Sequence, residues 1–149
     1  GTLALLRNPE HMALLRAKPD LIGGAVEEML RYDTSLQRNR RIVGEDLEFG
    51  GQRLRKGQFV MQVIGAANRD PAVFADPERF DIMRNPNPHI GFGRGIHFCL
   101  GAPLARIEAP LAIQSLLQRY PDLRLTGDPL DWRREVGALR SLRSLPVRW

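Results

Sequence analysis

Cysteine is almost missing from this 149-residue chain: Cys99 is the only one. An internal disulfide is therefore excluded, and so is a metal site built on paired thiols; the usage fits a reducing compartment. Lysine is nearly as scarce, because all of the 22 basic residues except Lys18 and Lys56 are arginine. Aromatics make up only 7%. No apolar run reaches the roughly 18 to 20 residues that a membrane span needs. The opening GTLALLRNPEHM has neither a basic head nor a cleavage site, so no signal peptide is read there. Internal repeats and low-complexity segments are absent. The apolar pattern is already running at Leu3, as in a helix entered part-way, so the chain is expected to be a piece of a longer protein.

What is present is ordinary for a globular domain: 43% apolar and 26% charged residues, enough for one domain with a modest core. The net charge of +5 could suggest a nucleic-acid partner. The arginines are spread over the whole chain among 17 acids, however, whereas a nucleic-acid footprint is clustered. Nucleic acid is not an expected partner.

Residues 2–7 read as the end of a helix. Asn8, Pro9 and Glu10 then supply an N-cap, a first-turn proline and a first-turn acid, predicting a helix to about Ala17. Pro19 and Asp20 break it. Leu21, Val26, Met29 and Leu30 form an apolar stripe that predicts a helix over 21–32. Short strands are expected near 46–49, 52–54 and 58–63, with Gly50-Gly51 as a hairpin turn and Lys56-Gly57 as a second turn. The stretch holding Pro71, Pro77, Pro86 and Pro88 reads as irregular chain with at most a short helix after Asp70. Ordered loops of that length usually serve a function. Leu104, Ile107, Leu111, Leu116 and Leu117 recur at helical spacing, predicting a helix over about 100–119 in which Pro110 should either cause a kink or find local compensation. The tail reads as short strands and turns.

A lone cysteine is ordinarily a small buried hydrophobe. Its neighbourhood here, HIGFGRGIHFCLGAPLAR over 89–106, argues otherwise. Phe92, Gly95, Cys99 and Gly101 form F-x-x-G-x-x-x-C-x-G, and glycines at 91, 93, 95 and 101 leave room for close approach to the backbone. Cys99 stands where a helix begins, and both the helix dipole and nearby N–H donors favour a thiolate there. A thiolate in such a loop is a metal ligand or a nucleophile. Zinc is disfavoured, since there is no second cysteine and His89 and His97 lack the usual paired spacing. A cysteine–histidine nucleophile stays open but gains nothing from the glycines. The other option is a single axial thiolate to haem iron.

FGRGIHFCLGAPLAR resembles the cysteine-ligand loop of cytochrome P450, bacterial soluble type. AVEEMLRY resembles that family's E-x-x-R helix, with Glu28 and Arg31 in the matching places and Arg31 standing 68 positions before Cys99. RIVGEDLEFGG, ANRDPAVFADPERFDIMR and SLPVRW resemble later segments, and GTLALLRNPE resembles the end of the long central helix and the segment after it. The resemblance covers nearly the whole chain in order.

It implies a mainly α fold with small β-sheets (α+β). Residues 1–149 would be the C-terminal haem-binding portion of the P450 fold, with J/K-type helices, β hairpins, a meander loop, the Cys-ligand loop and an L-type helix. The N-terminal two-thirds would be absent, including the threonine that helps deliver protons to bound oxygen; Thr2 comes too late to be it. The implied cofactor is haem b (iron protoporphyrin IX), with Cys99 as metal ligand and electron donor to the iron. Phe92 would pack beside the sulfur, Leu100 and Gly101 would donate weakly to it, and Gly93 and Ala105 would complete the cofactor contacts. Arg41 and His97 would meet the propionates. Glu28, Arg31 and Arg79 would form a buried ionic network with a structural role. Arg94 stands where the family often has His, and reads equally as a partner contact or a solvated charge.

The complete enzyme would be a monooxygenase in the cytoplasm. It would hydroxylate a small organic substrate with O₂ and two electrons from a ferredoxin-type donor and its reductase, with no nucleic acid and no membrane involved. Substrate contacts would come from 36–43 and about 137–142. Two other readings stay open: a non-catalytic or degenerate haem-binding protein, and a basic interaction module without haem. The isolated chain is expected to bind haem weakly and not to turn over.

Overall fold

Two prolines cut the first part of the chain into separate helices. Pro9 opens one helix and Pro19 opens a 3₁₀ turn, each at a position where its missing N–H costs nothing. The computed structural model describes residues 1–133 and 137–149. Its helices are α1 (Thr2–Arg7), α2 (Pro9–Ala17), α3 (Ile22–Tyr32), α4 (Ile64–Ala67) and α5 (Ala102–Arg119). Its strands are β1 (Asn39–Ile42), β2 (Leu47–Phe49), β3 (Gln52–Leu54), β4 (Phe59–Gln62), β5 (Arg124–Leu125) and β6 (Val147–Arg148). The fold is mainly α with small antiparallel sheets. No helix among the described residues is long and apolar enough to cross a membrane.

Asn8 stands at the N-cap position of α2, yet its side chain does not cap. Its Nδ2 turns back to donate to the Ala4 carbonyl at 2.8 Å, while its own carbonyl accepts from His11 and Met12. The core lies where α1, α2, α3 and α5 meet the 80–82 loop: Leu5, Leu15, Ala25, Val26, Phe80 and Leu117 are buried together.

Among the described residues there are three two-stranded sheets: β1 with β4, β2 with β3, and β5 with β6. Gly50 (φ 57°) and Gly51 (φ 73°) make the β2–β3 turn, a left-handed pair that glycine adopts without strain. Gly57 (φ 86°) makes the second expected turn. β1 pairs with β4 from Asn39↔Gln62 to Ile42↔Phe59. The expected strands did not include β1, because NRRI carries no apolar alternation. Pairing with β4 forms it, and its residues then alternate between half-buried and exposed.

The chain after Asp70 is irregular, as expected, and the short helix allowed there does not form. The short helix α4 precedes it, and the Asp70 carboxylate and carbonyl instead hold turns through Ala72 (2.9 Å) and Phe74 (2.9 Å). The helix expected over 100–119 starts at Ala102 and runs through Pro110 as one element. Only part of the apolar row is buried. Ala109, Ile113 and Leu117 pack toward the core, while Leu104, Ile107 and Leu111 are exposed.

Candidate functional site

The cysteine loop is shaped by its own backbone. Gly93 (φ 75°) and Gly95 (φ 73°) take the left-handed conformation that other residues enter only with strain. Gly93 N–H donates to the Ile90 carbonyl at 2.8 Å, and Phe98 N–H to the Gly95 carbonyl at 3.0 Å. Cys99 N–H then closes the loop onto the Phe92 carbonyl at 2.9 Å, and the Cys99 carbonyl accepts from Ala102 at 3.1 Å, joining the loop to α5. The thiol at the end of this hook is free and exposed, unlike a core cysteine.

A cleft of about 360 Å³ lies beside it. Of the residues singled out in the sequence, Arg41, Phe92, Gly93, His97 and Cys99 meet there, together with Arg94. Arg41 and Asn39 reach the cleft from one face of β1, and Arg41 Nη1 donates to the Arg40 carbonyl at 2.9 Å. Leu100, Gly101 and Ala105 continue past the cysteine into α5 and do not line the cleft.

Among the described residues, no group of three His, Cys, Asp or Glu side chains could hold a metal ion unaided. A metal held by Cys99 would therefore need its other donors from a group that brings them, as a porphyrin does. The cleft wall adds apolar surface from Leu36, Ile64, Ile90 and Phe92, and polar donors from Arg41 and His97. That donor set fits a flat apolar macrocycle with a central metal and carboxylates at its edge.

Behind the loop lies a buried ionic network. Glu28 and Arg31, both 0% exposed, pair through two hydrogen bonds of 2.7 and 2.8 Å. The spare Arg31 donors reach the carbonyls of Asn68 and Pro77 at 2.9 Å and of Arg79 at 3.0 Å. Glu28 also accepts from Asp81 N–H at 2.8 Å and Asn87 Nδ2 at 3.1 Å.

The second cation is Arg84, not Arg79. Arg84 Nε lies 3.3 Å from Glu28 with its side chain 11% exposed. The Arg79 guanidinium is 61% exposed and pairs with Asp81 at 3.3 Å; only its main chain joins the network. Arg84 lies on the chain just after Asp81, whose N–H already meets Glu28, and its guanidinium also gathers the carbonyls of Ala75, Asp76 and Arg79.

A second polar cluster was not singled out in the sequence as a unit. Glu27 accepts two hydrogen bonds from Arg106, at 2.7 and 2.8 Å, and one contact from His89 Nε2 at 2.9 Å. His89 is 2% exposed, and its Nδ1 accepts from Gly91 N–H at 3.0 Å, so Nε2 carries the proton that faces Glu27. The Arg106 hydrogen bonds hold the Glu27 carboxyl below its ordinary range; burial opposes this and His89 adds to it. The same hydrogen bonds raise Arg106. Arg106 also lies 5.0 Å over the Phe92 ring. The only local signal was placement: Glu27 adjoins Glu28, while His89 opens and Arg106 closes the cysteine motif.

The two segments suggested for substrate contact are neighbours. Gln37 N–H donates to the Ala138 carbonyl at 2.9 Å, and Arg38 to the Gly137 carbonyl at 2.8 Å. They share a cavity of about 370 Å³ with Leu36 and Arg40.

A lone exposed sulfur beside an apolar cleft edged by Arg41 and His97 is the arrangement a haem-thiolate protein needs. Comparison with known proteins agrees and is more specific. Residues 7–131 match the family Cytochrome P450, and the chain belongs to it. Family membership implies haem b as cofactor. The biotin biosynthesis cytochrome P450 of Bacillus subtilis (strain 168) is 50% identical over 148 residues, 99% of this chain and 37% of the relative. The 6-deoxyerythronolide B hydroxylase of Saccharopolyspora erythraea is 43% identical over 150 residues, again 99% of this chain and 37% of the relative. The crystal structure of P450BioI with an acyl carrier protein ligated to hexadec-9Z-enoic acid superposes with a TM-score of 0.95 at 49% identity, over 99% of this chain and 38% of that one. CYP109E1 from Bacillus megaterium with testosterone gives a TM-score of 0.94 at 39% identity, over 99% and 41%. The chain thus spans little more than a third of the length of the curated relatives it matches.

Proposed function

We propose that this chain is the C-terminal, haem-holding portion of a bacterial cytochrome P450 monooxygenase. The carrying observation is the exposed Cys99 thiol at a cleft it shares with Arg41 and His97. In this reading α1 ends the long central helix, α2 and α3 are the J- and K-type helices, the turns from Asp70 to Asn87 are the meander, and α5 is the L-type helix.

Cys99 is the metal ligand. Phe92 and Gly93 lie beside the sulfur, where the ring excludes water and the absent side chain leaves room. Arg41 and His97 hold the carboxylates at the cofactor edge through charge-assisted hydrogen bonds. Leu100, Gly101 and Ala105 back the sulfur side. Glu28, Arg31 and Arg84 hold the meander under the loop and take no part in the chemistry. Haem b, when bound, supplies oxygen activation: one atom of O₂ enters a C–H bond of a small organic substrate and the other leaves as water. Two electrons come from a ferredoxin-type donor and its reductase, and the two protons that complete the water come from solvent.

The fatty acyl and steroid ligands named for the relatives support an apolar substrate reached from 36–43 and 137–142. The enzyme works in the cytoplasm, and neither nucleic acid nor a membrane takes part.

Haemin titration of the purified chain tests this. A thiolate-type, red-shifted carbonyl band after reduction, lost in Cys99→Ser, is the expected result, with weak binding and no turnover by the chain alone. A histidine-type band or no binding would favour a basic interaction module without haem. A full-length version that gives the band yet makes no product with a redox partner would favour a degenerate haem-binding protein.

A further inference from the structure

We propose that Glu27 is a positioning residue for the cysteine loop: its carboxylate clamps His89 and Arg106, and through them fixes the Phe92 ring and the backbone that presents Cys99. The consequence for the sulfur's ligand character rests on the haem-thiolate reading; the clamp itself does not.

The connections run from α3 to the loop by two routes. On one, Glu27 accepts from His89 Nε2 at 2.9 Å, and the opposite ring nitrogen accepts from Gly91 N–H at 3.0 Å, one residue before Phe92. The imidazole is thereby locked at both ends, with 2% of its side chain exposed. On the other, Glu27 takes both Arg106 donors at 2.7 and 2.8 Å, and the guanidinium held this way lies 5.0 Å over the Phe92 ring. His89 and Phe98 flank that ring, each with its centroid at 6.3 Å. The Phe92 carbonyl is the acceptor for Cys99 N–H at 2.9 Å. One carboxylate therefore ties together α3, α5 and both ends of the hook. The neighbouring Glu28 faces the meander instead, so the two adjacent acids support different segments.

Bidentate pairing demands an ionised carboxylate and a planar guanidinium. Glu27→Gln keeps the size but loses the charge, and its amide nitrogen cannot accept. Arg106→Lys keeps the charge but cannot fork onto two oxygens or lie flat on Phe92. The chain without haem is compared with both variants by amide hydrogen exchange, read at Cys99 and at Lys18, whose N–H closes α2 on the Leu14 carbonyl.

Cys99 exchange is expected to speed up about tenfold or more in Glu27→Gln, the size of one lost charged hydrogen bond, and less in Arg106→Lys, with Lys18 unchanged. Unchanged Cys99 exchange in both variants overturns the clamp. If Glu27→Gln loses protection at Lys18 as well, it has unfolded and Arg106→Lys alone decides: faster Cys99 exchange upholds the clamp and unchanged exchange overturns it. Haem-loaded samples add a signature that a merely structural acid would not move. Both variants are expected to shift part of the reduced carbonyl spectrum from the thiolate-type band to a non-thiolate band. A wild-type chain lacking the thiolate band would sink the haem reading while leaving the exchange result to judge the clamp.

Discussion

Replacing Arg84 by alanine puts the buried network to a quantitative test. Glu28 would keep its two bonds to Arg31 and those from Asp81 and Asn87. It would lose the guanidinium at 3.3 Å, and the carbonyls of Ala75, Asp76 and Arg79 would lose a shared donor. Removing one partner of a buried pair costs roughly 3–5 kcal/mol. Because Arg31 remains in place, the lower end applies, about 3 kcal/mol, close to the worth of one or two charged hydrogen bonds. At this chain length that corresponds to a Tm drop of about 6 to 12 °C. Arg79→Ala is the matched control. Its exposed pair with Asp81 is worth about 0–1 kcal/mol. Urea unfolding followed by far-UV circular dichroism gives both values on one scale. Equal losses for the two variants would refute the assignment of Arg84 to the network, and a larger loss for Arg79→Ala would reverse it.

The Glu27 carboxyl is depressed by Arg106 and His89, so the folded state binds its proton less readily than the unfolded chain. Its stabilisation is complete above the unfolded value of about 4.3 and is lost as pH falls through the lower folded value. Urea midpoints measured across that acid range should fall less steeply in Glu27→Gln than in the wild type. Cys99→Ser should leave unfolding within about 0.5 kcal/mol of wild type, since the thiol is exposed, while removing the thiolate carbonyl band. Gly95→Ala meets no atom within 4 Å but must hold φ 73°, so it should cost about 1–2 kcal/mol from backbone strain alone, read as a shift in urea midpoint.

Local chemistry made much of this molecule legible in its residues. Pro9 marks a helix start and Pro19 the break after it, and a Gly-Gly pair between strands makes a tight turn in almost any context. The cysteine hook was readable for the same reason, because its glycines act on their own backbone. What escaped was decided at long range. β1 is a strand because β4 lies beside it, and its arginines conceal that. Arg79 and Arg84 stand five residues apart on one loop, and only the path of the chain selects which one meets Glu28. α5 carries apolar residues on two faces, and packing against the core buried the one with Ile113 and Leu117. Glu27 meets His89 and Arg106 across 62 and 79 residues, a separation at which no spacing rule operates.

The hydrogen bond that closes Cys99 onto Phe92 has a thermodynamic consequence. A hook that is knotted by its own main chain surrenders its conformational entropy while the protein folds, at roughly 1–2 kcal/mol per ordered residue. An arriving guest then meets a sulfur that needs no further ordering, and the affinity of the encounter reflects the bond formed rather than the disorder removed.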